Sequence, residues 1–319
     1  FCTINIEAIM VEYLRSTYNI KKLAVVDTDV HHGDGSADIF YHDPDILYIS
    51  FHQDGRTLYP GSGFPEEAGS PGAWGTNINL PLLPTTGDAG LHRLYDNLIA
   101  RILEEFQPEL ILNSAGQDNH FSDPLASMTV TAKGYARLAD KLKADLAVLE
   151  GGYSVEAALP YVNTGIILAM AGLDYSKVIE PDQSALRPQD PRCEKRIDEL
   201  IEQVGALWDN RVAKGDELRR RCGGTWNRNK SIYYDEEGIL ERQLETEHYC
   251  SHCHGYLTIS SEAENTRFGN QDAFIVTLYR EMCPSCQAKA RDEALRAKKS
   301  RKWQYVFVQD IATGEVERL

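Results

Sequence analysis

Four short apolar runs, at 23–26, 46–51, 110–112 and 146–149, each lead within a few residues into polar, acidic or glycine-containing segments. Runs of this length, rich in Val, Ile and Leu, suit strands of a parallel sheet buried on both faces. A helical stretch from about Ser36 separates the first two, so the order there is strand, loop, helix, strand. In such units ligands bind in the crevice beyond the carboxyl ends of the strands.

The segment DTDVHHGDG at 27–35 falls in that crevice. Strand alternation carried past residue 26 places Asp27, Asp29 and His31 on one side. A solvated acidic turn is the plain alternative, but it has no need of two histidines among three aspartates. Asp and His donors without cysteine suit a catalytic zinc, with iron and manganese as competitors and one position left for water. Asp118 stands in the same place after the third run as Asp29 does after the first, and is the candidate third ligand. The fourth run enters Glu150-Gly151-Gly152-Tyr153, where paired glycines allow a close backbone approach and Tyr153 directs its hydroxyl at whatever the metal holds.

Over roughly residues 1–175 these motifs, taken with Phe1-Cys2 and Asn5, SFH at 50–52, YPGSG at 59–63, SAGQD at 114–118 and DPL at 123–125, resemble the histone deacetylase family, including acetylpolyamine amidohydrolase and acetoin-utilisation relatives. The resemblance implies an arginase-like three-layer α/β fold with a central parallel sheet. It implies that Asp29, His31 and Asp118 bind a catalytic zinc and that Tyr153 polarises the carbonyl of an acetylated amine. It further assigns Asp27, Ser50 and Phe51, with the carbonyls of Asp29 and His31, to a monovalent cation, K+ being the candidate, and Tyr59 and Leu125 to the acyl-lysine channel. In the family the general base is a tandem histidine pair preceding the Phe-Cys motif, oriented by the aspartates matching Asp27 and Asp34. The sequence opens at Phe1, so the chain reads as a fragment without that base. Of the other histidines, His32 reads as packed beneath the loop, His52 as structural, and His120 as a channel-wall or loop residue near the metal.

Beyond Leu173, Pro181, Pro188 and Pro191 punctuate a polar stretch before a helix expected over 193–221, with Ile197, Leu200, Val204 and Trp208 at helical spacing. Gly223-Gly224 marks the expected boundary, giving a deacetylase-like domain at 1–224 and a second domain at 225–319. The second domain carries Cys250-x-x-Cys253 and Cys283-x-x-Cys286 around strand-like stretches at 256–259 and 274–278. Two such knuckles resemble a zinc ribbon, in which four thiolates close a structural zinc site. Their separation exceeds the usual span of about 15–20 residues and leaves room for a longer hairpin. A redox pair or two disulfides are the alternatives. A basic helix at 289–302 comes next, either a solvated face or a docking surface for nucleic acid or protein.

A net charge of −15 argues against a general nucleic-acid surface and is compatible with a cationic substrate. The longest apolar stretch, 165–173, is too short for a membrane span and reads as a helix covering the sheet. A cytoplasmic zinc-dependent deacetylase acting on acetyl-lysine or an acetylpolyamine is therefore the leading expectation. A non-catalytic acyl-amine binding module, or an interaction protein centred on the ribbon, is the alternative.

Overall fold

The computed structural model describes residues 4–181, 183–234, 238–265, 267 and 269–319. The Phe1-Cys2 motif lies outside them. The chain divides into two compact units, Phe1–Ala213 and Lys214–Leu319.

The first unit opens with α1 (Ile6–Tyr18), started by Asn5, whose side-chain oxygen accepts the Ala8 N–H at 2.7 Å. Next come β1 (Leu23–Asp27), α2 (Asp34–Ile39), β2 (Ile46–Gln53) and β3 (Asn77–Leu82). Helices α3 (Asp88–Leu94) and α4 (Ala100–Phe106) are joined by a π-helical turn, Tyr95–Ile99. β4 (Leu110–Ala115), α5 (Ala132–Leu142), β5 (Leu146–Leu149), α6 (Leu159–Met170) and α7 (Pro191–Asp209) complete the layers, and α8 (Arg211–Arg221) comes after them. The five strands form one parallel sheet in the order β3-β2-β1-β4-β5.

The apolar runs explain why helices cover both faces. Along β1, Leu23 and Val25 pack with Ala8 and Val11 of α1 and Phe40 beside α2. Ala24 and Val26 face the opposite way, into the larger core built on α3 to α7. The stretch at 165–173 lies largely in α6, where Ile166 and Ala169 join that core while Ile167 stays exposed.

The helix expected over 193–221 is two helices. Asn210 ends the first, donating its side-chain amide to the Ala206 carbonyl at 2.8 Å and so competing for a backbone acceptor of the last turn. Ile197, Leu200, Val204 and Trp208 all enter the large core. The division between units falls inside α8, upstream of Gly223-Gly224.

The second unit is a six-stranded sheet in the order β11-β10-β9-β8-β7-β6. β6 (Thr225–Tyr234), β7 (Ile239–His248), β8 (Tyr256–Asn265) and β9 (Gln271–Leu278) form an antiparallel meander. α9 (Pro284–Ser300) then crosses to β10 (Tyr305–Asp310), parallel to β9, and β11 (Glu315–Arg318) closes the edge. The strands expected at 256–259 and 274–278 thus belong to a broader sheet than a ribbon. β6 and β7 carry many charged and amide side chains and bury little, so they give no apolar alternation by which a strand is recognised. Among the described residues no helix is long and apolar enough to cross a membrane.

Candidate metal centre

The site forms where the parallel strands end. β1 stops at Asp27, so strand alternation does not govern the residues beyond it, and the expectation that Asp27, Asp29 and His31 share one strand face gives way to a different construction. Asp27 Oδ1 accepts the Asp29 N–H at 3.0 Å, and Asp29 Oδ1 accepts the His31 N–H at 2.8 Å. These are two successive aspartate turns, each closing on the amide two residues ahead. They fold the chain so that Asp29 and His31 meet Asp118, which arrives from the loop after β4.

One donor atom from each of Asp29, His31 and Asp118 lies within 4.8 Å of the others. His31 Nδ1 stands 3.0 Å from Asp118 Oδ2 and 3.1 Å from Asp29 Oδ1. Backbone amides hold the carboxylates: Asp118 Oδ1 accepts from Val30 N and Asp29 Oδ2 from Gly151 N, both at 2.8 Å. Zinc binds nitrogen and oxygen at about 2.0–2.2 Å, which spaces tetrahedral donors about 3.4 Å apart. The observed spacing and the donor set both fit such an ion. Hydrogen bonds to Asp118 and then Asp29 raise the His31 imidazole to about 10 in the metal-free protein.

Two glycines shape the cradle. A Cβ on Gly116 would fall 2.5 Å from Asp29 Oδ2, and one on Gly151 would fall 2.4 Å from Asp118 Oδ2 and 2.5 Å from Asp29 Oδ2. Gly151→Ala is therefore expected to weaken metal binding by about 10- to 100-fold, the usual effect of disturbing the groups that orient ligands. Competition with a chromogenic chelator measures this, and unchanged affinity would show that the glycine does not shape the site.

The other site residues named from the sequence are distributed around this trio. Tyr153 is about half exposed, and its ring stands edge-on to His31 with centroids 6.4 Å apart. Its amide donates to Asp123 Oδ2 at 2.8 Å. Asp27 is buried outside the trio and accepts the Tyr48 hydroxyl at 2.6 Å; burial and then Asp29 push its carboxyl well above the ordinary range. Ser50 pairs with Asp27 in register across β1 and β2, and Phe51 comes next in the core. Asp34 begins α2, exposed to solvent. Tyr59 and Leu125 are exposed apolar side chains on the loops after β2 and β4.

His32 is buried, with Nδ1 2.9 Å from Ser62 Oγ, and His52 sits between Ser50 Oγ and the Gly63 carbonyl, each at 2.8 Å. Burial lowers His52 to about 3, so it stays neutral. His120 does not line a channel or the loop surface. It is buried, with Nδ1 2.8 Å from Ser122 Oγ and Nε2 3.8 Å from Glu180.

Sequence reasoning misses Tyr48 and Glu7. Glu7 is a buried carboxyl on α1 that accepts the Ser114 hydroxyl, and its burial raises it above the usual range. Neither belongs to a motif; only strand register and helix docking bring them under the loop.

A family model described as histone deacetylase domain matches residues 1–169. A probable deacetylase of Archaeoglobus fulgidus is 48% identical over 191 residues, covering 57% of this chain and 52% of that protein. A histone deacetylase-like amidohydrolase of Pseudomonas aeruginosa is 32% identical over 221 residues, 64% of this chain and 57% of that protein. The chain thus spans about half the length of the curated relatives it matches. Among solved structures, the crystal structure of the HDA15 HD domain superposes with a TM-score of 0.57 at 27% identity, covering 69% of this chain and 60% of that one. Acetylpolyamine aminohydrolase from Burkholderia pseudomallei gives 0.51 at 33% identity over 54% of this chain and 51% of that one. The parallel sheet is the one these proteins share, and the family match takes in more than half of the residues: the chain belongs to the histone deacetylase domain family.

Proposed function

We propose that the first unit is a metal-dependent amidohydrolase for an acetylated amine, an acetyl-lysine side chain or an acetylpolyamine, with Asp29, His31 and Asp118 as the ligands of a catalytic zinc ion. The observation that carries this reading is the convergence of those three donors at the carboxyl edge of the sheet, beside an exposed tyrosine. Two carboxylates and an imidazole without thiolate leave coordination positions for water and substrate, as hydrolytic zinc requires. When bound, the ion acidifies water and polarises the amide carbonyl.

The chain's own groups supply the rest. Tyr153 offers a hydroxyl donor to the oxyanion as it develops, and the Asp123 carboxylate anchors its backbone. Tyr59 and Leu125 offer apolar surface for the aliphatic stem of the amine. Asp27 and Ser50, paired in register across β1 and β2, together with Phe51 and the carbonyls of Asp29 and His31, are the residues proposed for a monovalent cation such as K+. The products are acetate and a free amine.

Acetate release from an acetyl-lysine peptide and from N-acetylputrescine tests the reading. Chelation is expected to abolish turnover and zinc to restore it. Tyr153→Phe is expected to lower kcat by about 10²- to 10³-fold with a much smaller change in KM, the mark of a donor used in the transition state. Turnover that survives complete metal removal would overturn the reading, and an unimpaired Tyr153→Phe would remove the tyrosine from it.

A further inference from the structure

We infer that Cys250, Cys253, Cys283 and Cys286 hold a structural zinc ion that staples the turn between β7 and β8 to the first turn of α9. This site lies in the second unit and stands independently of the reading of the first.

The four sulfur atoms lie within 4.8 Å of one another although their two knuckles are 29 residues apart in the chain. Cys250 Sγ and Cys283 Sγ are 3.9 Å apart. Zinc–sulfur bonds of about 2.3 Å place tetrahedral thiolates about 3.8 Å from each other, whereas a disulfide needs about 2.05 Å. The spacing is that of ligands around an ion.

The backbone is arranged for thiolates. His252 N–H donates to Cys250 Sγ and Gly255 N–H to Cys253 Sγ, each at 3.4 Å. Donors aimed at sulfur favour the charged form, the one that binds metal. The turn that brings the second amide round depends on Gly255, at φ +82°, where a Cβ would fall 1.7 Å from the His248 carbonyl oxygen. On the other side, Cys283 caps α9 and Cys286 is buried in its first turn.

Two nearby histidines, His248 and His252, are engaged elsewhere. His248 stacks on Tyr256, ring centroids 4.2 Å apart, and His252 Nδ1 meets Ser251 Oγ at 2.9 Å. The group that converges among the described residues is the four sulfurs, and an all-thiolate tetrahedron suits zinc.

Packing shows why a staple matters. The stripe that α9 buries against the sheet consists of Cys286, Ala290, Ala294 and Ala297. Alanine methyls remove little apolar area from water, so the crossover helix is weakly anchored by burial. A metal site rarely persists in an unfolded chain, and its binding free energy then becomes folding free energy.

Metal analysis of the full chain, purified from zinc-supplemented medium without chelators, tests this assignment. One equivalent of zinc is expected to remain in Asp118→Asn and to be lost in Cys250→Ser and Cys283→Ser. Because a cysteine variant can fail to fold, wild-type chain is also reconstituted with cobalt(II). Intense thiolate-to-cobalt charge transfer, saturating at one equivalent in Asp118→Asn, supports the site. Disulfides found by mass spectrometry after alkylation, four thiols reacting freely in a metal-free folded chain, or iron in place of zinc would each overturn the assignment.

Discussion

Asp118→Asn is expected to lower the affinity of the first unit for zinc by more than about 100-fold and to abolish any turnover that depends on the ion. Loss of a group that merely orients a ligand costs about 10- to 100-fold, so loss of a ligand costs more. The substitution is nearly isosteric at a fully buried position. It also keeps an oxygen that can accept the Val30 amide, so the loop after β1 retains its anchor. What disappears is the negative charge facing His31. Because the hydrogen bond to Asp118 is the largest cause of the raised His31 imidazole, its pKa in metal-free protein should fall from about 10 toward the ordinary value. Zinc titration and an NMR titration of His31 measure the two effects. Wild-type zinc affinity in this variant would remove Asp118 from the ligand set, and with it the proposed centre.

Trp208→Ala is expected to destabilise the first unit by about 3–5 kcal/mol, the range for deleting a buried tryptophan. Its side chain is wholly buried near the end of α7. Its indole N–H donates to Glu105 Oε2 at 2.8 Å, and the Arg211 guanidinium lies 3.7 Å from the ring centroid. Removing it leaves a cavity between α7 and the helices around α4, and leaves Glu105 without that donor. Domains of ordinary stability hold about 5–15 kcal/mol in reserve, so a large share would go. The midpoint of urea unfolding, with the slope checked for constancy, reads the loss. A shift below about 1 kcal/mol would mean that α7 is not an integral layer of this unit.

The legibility of each feature in the sequence depends on the range over which its interactions act. The strands at 23–26 and 46–51 are legible because burial on both faces leaves unbroken apolar runs, and those at 110–112 and 146–149 carry the same apolar pattern although Leu146 and Leu149 stand exposed at the sheet edge. Asp29, His31 and Asp118 do meet in space, yet strand alternation, the reason for pairing the first two, applies only up to Asp27. Aspartate side chains bonding amides two residues ahead do the folding after that point. His120 shows the opposite failure. Its place two residues from Asp118 suggests a channel or loop surface, but Ser122 and Glu180 draw the ring into the interior. β6 and β7 escape a reading of the sequence because charged and amide side chains fill even half-buried and buried positions, Glu245 and Glu247 among them, and so leave no hydrophobic period.

The parallel α/β layers, the family, the three donors of the candidate centre and the four cysteines are all legible from the residues alone, because each is written in local patterning or in closely spaced residues of distinctive chemistry. That Gly116 backs the cradle alongside Gly151, that Tyr48 and Glu7 lie beneath the loop, and that the cysteine pairs join a sheet turn to a helix emerges only in the folded chain. Those relations depend on strand register and packing between segments far apart in the chain, and no local pattern encodes a distance across the core.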